Sequence, residues 1–242
     1  MSGPRVEDHI ARVICHRALR AVRAYIAPRE IIEVLGEAGV EVSPVDLSRY
    51  LSGSVLPTAE KAYQILRGIY TQGLVERVFR KAVEVDPQGV VNVPLIAYNL
   101  DLVQLASSVA FLLFRGKVDV VVTAATNGVP LASLVASSLG ARLGVARRER
   151  ESPSLKYLET GVFLQDPPSY VHLYLPADAL KRGDRVLIAD DLFRTGRTLK
   201  ALFNMVDEAR GVPVAGFSMV AVGDTWREVA PEGLELVTLL QI

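Results

Sequence analysis

Residues 185–199 read R-V-L-I-A-D-D-L-F-R-T-G-R-T-L, the stretch of this chain richest in chemistry. A buried strand runs into two adjacent acids, a short loop with threonine and glycine, and then a helix. Loop amides at a helix start point outward and, with the helix dipole, hold a phosphate. Here those amides belong to Arg194, Thr195, Gly196, Arg197 and Thr198; the two threonine hydroxyls add hydrogen bonds, and Gly196 lets the backbone come close. Asp190 and Asp191 precede this cradle and would repel a phosphate, so they suit sugar hydroxyls or a divalent cation. A sugar diol beside a phosphate describes a ribose 5-phosphate.

The elements that must position these groups alternate. Beyond residue 86 the pattern predicts a helix over 102–114, a strand over 118–123 and a helix over 129–139. A short strand over 143–147 follows, then a hairpin pairing 162–164 with 170–174 around the Asp166-Pro167-Pro168 turn. A strand over 185–189, a helix over 198–210 and a strand over 215–222 complete the pattern. Buried strands alternating with helices imply an α/β fold with a mostly parallel sheet. Residues 120–141 carry no charge and are long enough to span a bilayer, but Asn127-Gly128 and Pro130 break them into strand, loop and helix.

V-L-I-A-D-D-L-F-R-T-G-R-T resembles the phosphoribosyl pyrophosphate (PRPP) signature of the type I phosphoribosyltransferases. The resemblance implies that Asp190 and Asp191 contact the ribose hydroxyls and that residues 194–198 grip the 5-phosphate. Arg197 stands where many members have a small residue. It also implies a pyrophosphate-binding loop at Thr126, Asn127 and Gly128, which on their own read as a common turn. The basic run from Arg147 to Lys156 would be a mobile loop, with Arg147, Arg148 and Lys156 facing the leaving diphosphate; by itself it reads equally as a solvated hairpin. Magnesium is implied as the companion of PRPP, and no resident metal site is read. A hood over 90–100 and 224–242 would hold a base; Trp226 could stack on it, though a lone tryptophan in such a place is more often simple packing.

The N-terminal part, residues 1–85, reads as all helix, with residues 86–242 as the phosphoribosyltransferase-like domain. Helices are expected over 9–19, with a continuation to 25 left open, then over 29–36, 43–52, 58–70 and 74–83. Ser43-Pro44-Val45-Asp46 is a strong helix start, with a capping serine, a proline at the first position and an acid three residues on. L-S-R-Y-L-S-G-S-V-L-P resembles the helix-turn-helix of the phage-repressor class. Leu47, Tyr50 and Leu51 would pack on Ile31, Ile32 and Leu35, leaving Ser43, Val45, Asp46, Ser48 and Arg49 outward. Of these, Ser43, Val45, Ser48 and Arg49 are the expected contacts to double-stranded DNA. A helical cap is the alternative. Together the two parts resemble helix-turn-helix/phosphoribosyltransferase regulators of the purine-repressor type.

Composition bounds the rest. The 242 residues carry 27 basic and 27 acidic side chains, half the residues are hydrophobic, and there is one cysteine and three histidines. That excludes a disordered chain, a disulfide scaffold and a cysteine-rich zinc site. Zero net charge conceals an asymmetry, since residues 9–29 hold five arginines and no acid. A cytoplasmic homodimer is expected, with PRPP or a purine nucleotide as ligand and no membrane partner. Two functions stay open: a PRPP- or nucleotide-sensing regulator of purine metabolism, and a purine phosphoribosyltransferase.

Overall fold

A computed structural model describes residues 6–87, 90–165 and 168–242, with side chains at 164, 165, 168 and 169 left aside. The chain forms two compact units, residues 1–113 and 114–242. This division lies well beyond the composition change near residue 85.

The first unit is helical: α1 (Val6–Arg23), α2 (Pro28–Glu37), α3 (Pro44–Ser52), α4 (Ala59–Thr71), α5 (Leu74–Ala82), α6 (Val93–Ala97) and α7 (Leu100–Phe114). Its boundaries follow from capping chemistry. Ser43 Oγ accepts the Asp46 amide at 3.0 Å and donates to Asp46 Oδ2 at 2.7 Å, and Pro44 occupies the first turn. Gly53 ends α3 with φ of 73°, a left-handed conformation that costs glycine little. Thr58 caps α4 by accepting the Lys61 amide at 3.2 Å. Ile31, Leu35 and Leu47 are fully buried, while Ile32, Tyr50 and Leu51 are half-buried. His16 Nδ1 lies 2.6 Å from the Tyr50 carbonyl, and Arg12 Nε donates to the Pro57 carbonyl at 2.8 Å, tying α1 to the last turn of α3 and to the loop that follows it.

The second unit is α/β. Its sheet has the order β2 (Arg142–Ala146), β1 (Val120–Ala124), β5 (Arg185–Phe193), β6 (Val212–Ala221) and β7 (Glu235–Gln241), parallel throughout. Helices α8 (Val129–Leu139) and α9 (Arg197–Glu208) follow β1 and β5 directly. Strands β3 (Tyr157–Gln165) and β4 (Pro168–Pro176) form a separate antiparallel hairpin, longer at both ends than expected. Valines and isoleucines of the sheet, Leu202 and Met205 of α9, and Val162, Leu173 and Leu175 of the hairpin share one core.

At the start of the sheet, Asp119 accepts three bonds from Arg185: the amide at 2.9 Å, Nε at 3.0 Å and Nη2 at 2.8 Å. The charged donor holds the Asp119 carboxyl down at about 2. This clamp continues the register of β1 against β5, in which Val120 pairs with Val186 and Val122 with Ile188.

Two expectations need correction. Glu235–Gln241 is the edge strand of the main sheet, not part of a hood: it pairs in parallel with β6 and buries Val237, Leu239 and Leu240. Residues 90–100 contribute α6 and the start of α7 to the helical unit. The uncharged segment at 120–141 is indeed a strand, a turn and a helix. No helix among the described residues is long and apolar enough to cross a membrane.

Candidate nucleotide-binding cleft

The strand order reverses direction between β1 and β5: β2 lies on one side of β1, while β6 and β7 follow on the other side of β5. At such a point the connections leave in opposite directions and a crevice opens at the carboxyl ends of the strands. A cleft of about 610 Å³ lies there, lined by Ala124 to Gly128, Arg147, Arg148, Glu149, Glu151, Asp190, Asp191 and Thr198. Beside it, a small pocket of about 90 Å³ is formed by Asp190 and by residues 192–199. Asp190 and Thr198 belong to both.

Two helix N-termini converge on this place. Gly128 precedes α8 and Gly196 precedes α9, so both helices start beside this region; α9 presents its first-turn amides, whereas in α8 the Val129 amide donates to the Thr126 carbonyl at 3.3 Å and Pro130 has no N–H. Each glycine is demanded by close approach. A Cβ on Gly128 would strike Asp190 Oδ1 and Thr123 Oγ1. Gly196 has φ of 70°, and a Cβ there would sit 2.5 Å from Val229 Cγ2 and 2.9 Å from the Trp226 Cα. The β1 loop, whose Ala125–Thr126 peptide is cis, therefore abuts the acid pair directly.

Asp190 and Asp191 are adjacent residues in the carboxyl half of β5, which runs past them to Phe193, and both are poorly solvated. Asp191 is 8% exposed, and its amide donates to Asp190 Oδ1 at 3.0 Å. Burial, reinforced by the neighbouring Asp191 charge, pushes the Asp190 carboxyl well above the usual carboxylate range. Burial also raises Asp191, opposed by its hydrogen bond with Asp190. Two carboxylates side by side in a poorly solvated site gain from a ligand that donates hydrogen bonds or brings positive charge.

The structure brings most of the expected site residues together. Thr126, Asn127, Gly128, Arg147, Arg148, Asp190, Asp191 and Thr198 line the cleft, and Arg194, Thr195, Gly196 and Arg197 form the smaller pocket. Lys156 is exposed and lies outside both linings, its carbonyl accepting the Ala177 amide at 2.9 Å.

Trp226 takes the packing role. It is fully buried, its ring centroid lies 5.6 Å from that of Phe193, and its Nε1 donates to the Gly223 carbonyl at 2.6 Å. An indole packed on all sides offers no face to a base. It instead forms the wall behind Gly196, while Thr225 Oγ1 donates to the Arg194 carbonyl at 3.1 Å.

Sequence reasoning passed over Glu149 and Glu151. Both line the cleft, and Glu151 Oε1 lies 2.7 Å from Arg147 Nη1. Their place in the same charged run as Arg147 was the available signal.

In the helical unit, Ser43, Val45, Ser48 and Arg49 are all exposed, and Val45 keeps 60% of its surface. Asp46 is half-buried because it is engaged by the Ser43 cap.

Comparison with known proteins agrees with this geometry. The phosphoribosyl transferase domain family matches residues 100–230. Adenine phosphoribosyltransferase of Geotalea daltonii is 35% identical over 95 residues, covering 39% of this chain and 54% of that protein. Hypoxanthine/guanine phosphoribosyltransferase of Methanosarcina mazei is 31% identical over 126 residues, covering 52% and 64%. The purine biosynthesis transcriptional repressor PurR of Bacillus subtilis is 28% identical over 127 residues, covering 52% and 44%. The chain thus spans less than two thirds of the length of each of these relatives.

Among solved structures, adenine phosphoribosyltransferase of Rhodothermus marinus superposes with a TM-score of 0.61 at 23% identity, covering 69% of this chain and 98% of that one. The Trypanosoma brucei enzyme, in complex with AMP, pyrophosphate and ribose-5-phosphate, gives 0.59 at 15% identity, covering 69% and 79%. At these identities the likeness establishes the fold. With the family match spanning more than half of the residues and the cleft built where the strand order reverses, the chain belongs to the phosphoribosyl transferase domain family.

Proposed function

We propose that this protein is a transcriptional regulator of purine or nucleotide metabolism that senses PRPP or a purine nucleotide in the cleft of its α/β unit. The observation that carries the ligand half is the desolvated Asp190–Asp191 pair placed between two helix N-termini. In this reading the acids accept hydrogen bonds from the ribose hydroxyls. The amides and hydroxyls of Thr195 to Thr198 hold the 5-phosphate, and the β1 loop with Arg147 and Arg148 meets the diphosphate.

Magnesium fits this arrangement as a passenger on PRPP. No cluster of three or more metal-ligating side chains occurs among the described residues, and Mg²⁺ commonly takes one or two carboxylates together with substrate phosphates. Asp190 and Asp191 are the groups that would hold it, and it would neutralise diphosphate charge.

The DNA half rests on α2, the turn and α3. The Ser43-capped α3 buries Leu47 and presents Ser43, Val45, Ser48 and Arg49 outward, the arrangement a helix needs to enter a major groove. Arg49 makes no ion pair among the described residues and is the expected guanine or phosphate contact. Operators read by such units are paired half-sites, so the acting species is a homodimer. Ligand in the cleft biases DNA affinity by binding one conformational state better than the other.

A second reading is favoured by the relatives named adenine and hypoxanthine/guanine phosphoribosyltransferases. In it the C1–oxygen bond to pyrophosphate breaks and a purine nitrogen bonds to C1, while the cleft positions both partners and neutralises the departing charge.

One sample decides between them. DNA mobility shift on the protein's own upstream DNA and pyrophosphate release with adenine, hypoxanthine, guanine and xanthine are measured side by side. The regulator reading expects salt-sensitive DNA binding that changes with PRPP and no base-dependent pyrophosphate release. Pyrophosphate release without DNA affinity supports the enzyme instead.

A further inference from the structure

The loop between β2 and β3 supplies Arg147, Arg148, Glu149 and Glu151 to the cleft, but not Arg150. Arg150 is engaged elsewhere. Its Nη2 donates to Glu159 Oε2 on β3 at 2.5 Å, and its guanidinium carbon lies 4.8 Å from the centre of the Tyr174 ring on β4. The other carboxylate oxygen of Glu159 lies 2.8 Å from His172 Nδ1, and His172 stacks on Tyr174 with ring centroids 6.2 Å apart. Two further ties flank Arg150. Arg147 and Tyr174 exchange backbone hydrogen bonds of 2.9 and 2.7 Å, and the Ser152 amide donates to the Tyr157 hydroxyl at 3.1 Å. A loop with four residues facing the cleft is therefore fastened to the hairpin at three points, and Arg150 makes the side-chain tie between the other two.

We propose that Arg150 and Glu159 form a clamp that couples the β3–β4 hairpin to the cleft, acting as positioning residues that hold Arg147 and Arg148 toward a bound diphosphate. This rests on the reading of the cleft as a phosphate site. Charge and geometry agree with it: an arginine wedged between a carboxylate and an aromatic face has both its cation and its planar surface engaged. The Arg150 hydrogen bond, chief among several influences, holds the Glu159 carboxyl below its ordinary range. Arg150 and Glu159 are 55% and 37% exposed, so solvent screens the pair and the effect expected of it is modest.

The test is a double-mutant cycle on the full chain with Glu159→Gln, Arg150→Ala and both together. Two quantities are read: calorimetric affinity for magnesium pyrophosphate, and amide hydrogen exchange across residues 148–152. Each single change is expected to weaken pyrophosphate binding about two- to fivefold and to speed exchange at 148–152, with α8 and α9 unaltered. The double change should do no more than either single, since each removes the same contact. Additive effects, unchanged exchange at 148–152, or a loss of protection spread over α8 and α9 would each overturn the clamp. If the wild-type chain binds no pyrophosphate, the PRPP reading fails, and the exchange cycle still judges the clamp.

Discussion

The cleft of the α/β unit and the outward face of α3 use nearly the same residue types, serine or threonine, arginine and aspartate, in opposite environments. In the cleft, Asp190 and Asp191 are withdrawn from water and pushed toward neutrality, and glycines are required where backbone and carboxylate nearly touch. On α3 the side chains stand in solvent, and the one acid, Asp46, is spent on capping the helix. A site that withholds solvation from its acids stores a need for a partner, so its ligand is specified before it arrives. A solvated face stores nothing, and its partner must supply both the complementary shape and the charge.

Substitutions probe this contrast, in falling order of effect. Asp190→Asn/Asp191→Asn should abolish the response of DNA binding to PRPP while far-UV circular dichroism stays native, because the groups matched to the ribose are gone and a desolvation cost is relieved. Loss of folding would mean that the acids are structural. Arg49→Ala should weaken DNA binding about tenfold and lower the log–log salt slope by about one if Arg49 meets a phosphate, with PRPP affinity untouched. An unchanged mobility shift removes α3 as the reading element.

Glu151→Gln works in the opposite direction. Glu151 occupies Arg147 across 2.7 Å, so its neutral counterpart should free that arginine and raise pyrophosphate affinity about two- to fivefold by calorimetry. Weaker binding would show that Glu151 helps the ligand rather than competing with it.

The smallest effect lies at the far end of the sheet. The Asp119 carboxyl is held at about 2, below its unfolded value, so the stability it supplies is present above the unfolded pKa and disappears as pH falls toward 2. Asp119→Asn should flatten the acid limb of a melting-temperature profile between about pH 4 and 2 and leave ligand binding unchanged. A parallel downward shift at every pH would place its contribution elsewhere.

What was legible in the amino-acid order differed between these regions for physical reasons. The cradle at 190–198 could be read because strand, acids, glycine and helix start are consecutive, so local chemistry implies the local geometry. Ser43, Pro44 and Gly53 marked the ends of α3 for the same reason, through capping bonds made within a few residues. Trp226 stayed open between packing and stacking because its fate depends on Phe193 and Gly223, contacts that a run of sequence does not display. Glu235–Gln241 escaped because an edge strand of a parallel sheet has half-hidden, alternating side chains that suit a surface hood equally well. Glu149 and Glu151 were passed over because sign of charge, rather than direction along the loop, guided the choice. Arg150 turns to Glu159 and the Tyr174 ring while its neighbours face the cleft, and that choice rests on the folding of the hairpin, which a run of sequence does not display.

The central claim is that the cleft between β1 and β5 takes a ribose 5-phosphate bearing a diphosphate. Calorimetric titration of magnesium PRPP into the wild-type chain, repeated with ribose 5-phosphate as competitor and with Asp190→Asn/Asp191→Asn, tests it most directly. The account predicts one saturable site per chain, displaced by ribose 5-phosphate and lost in the double variant. Binding that survives the double substitution, or no binding by the wild-type chain, would contradict it.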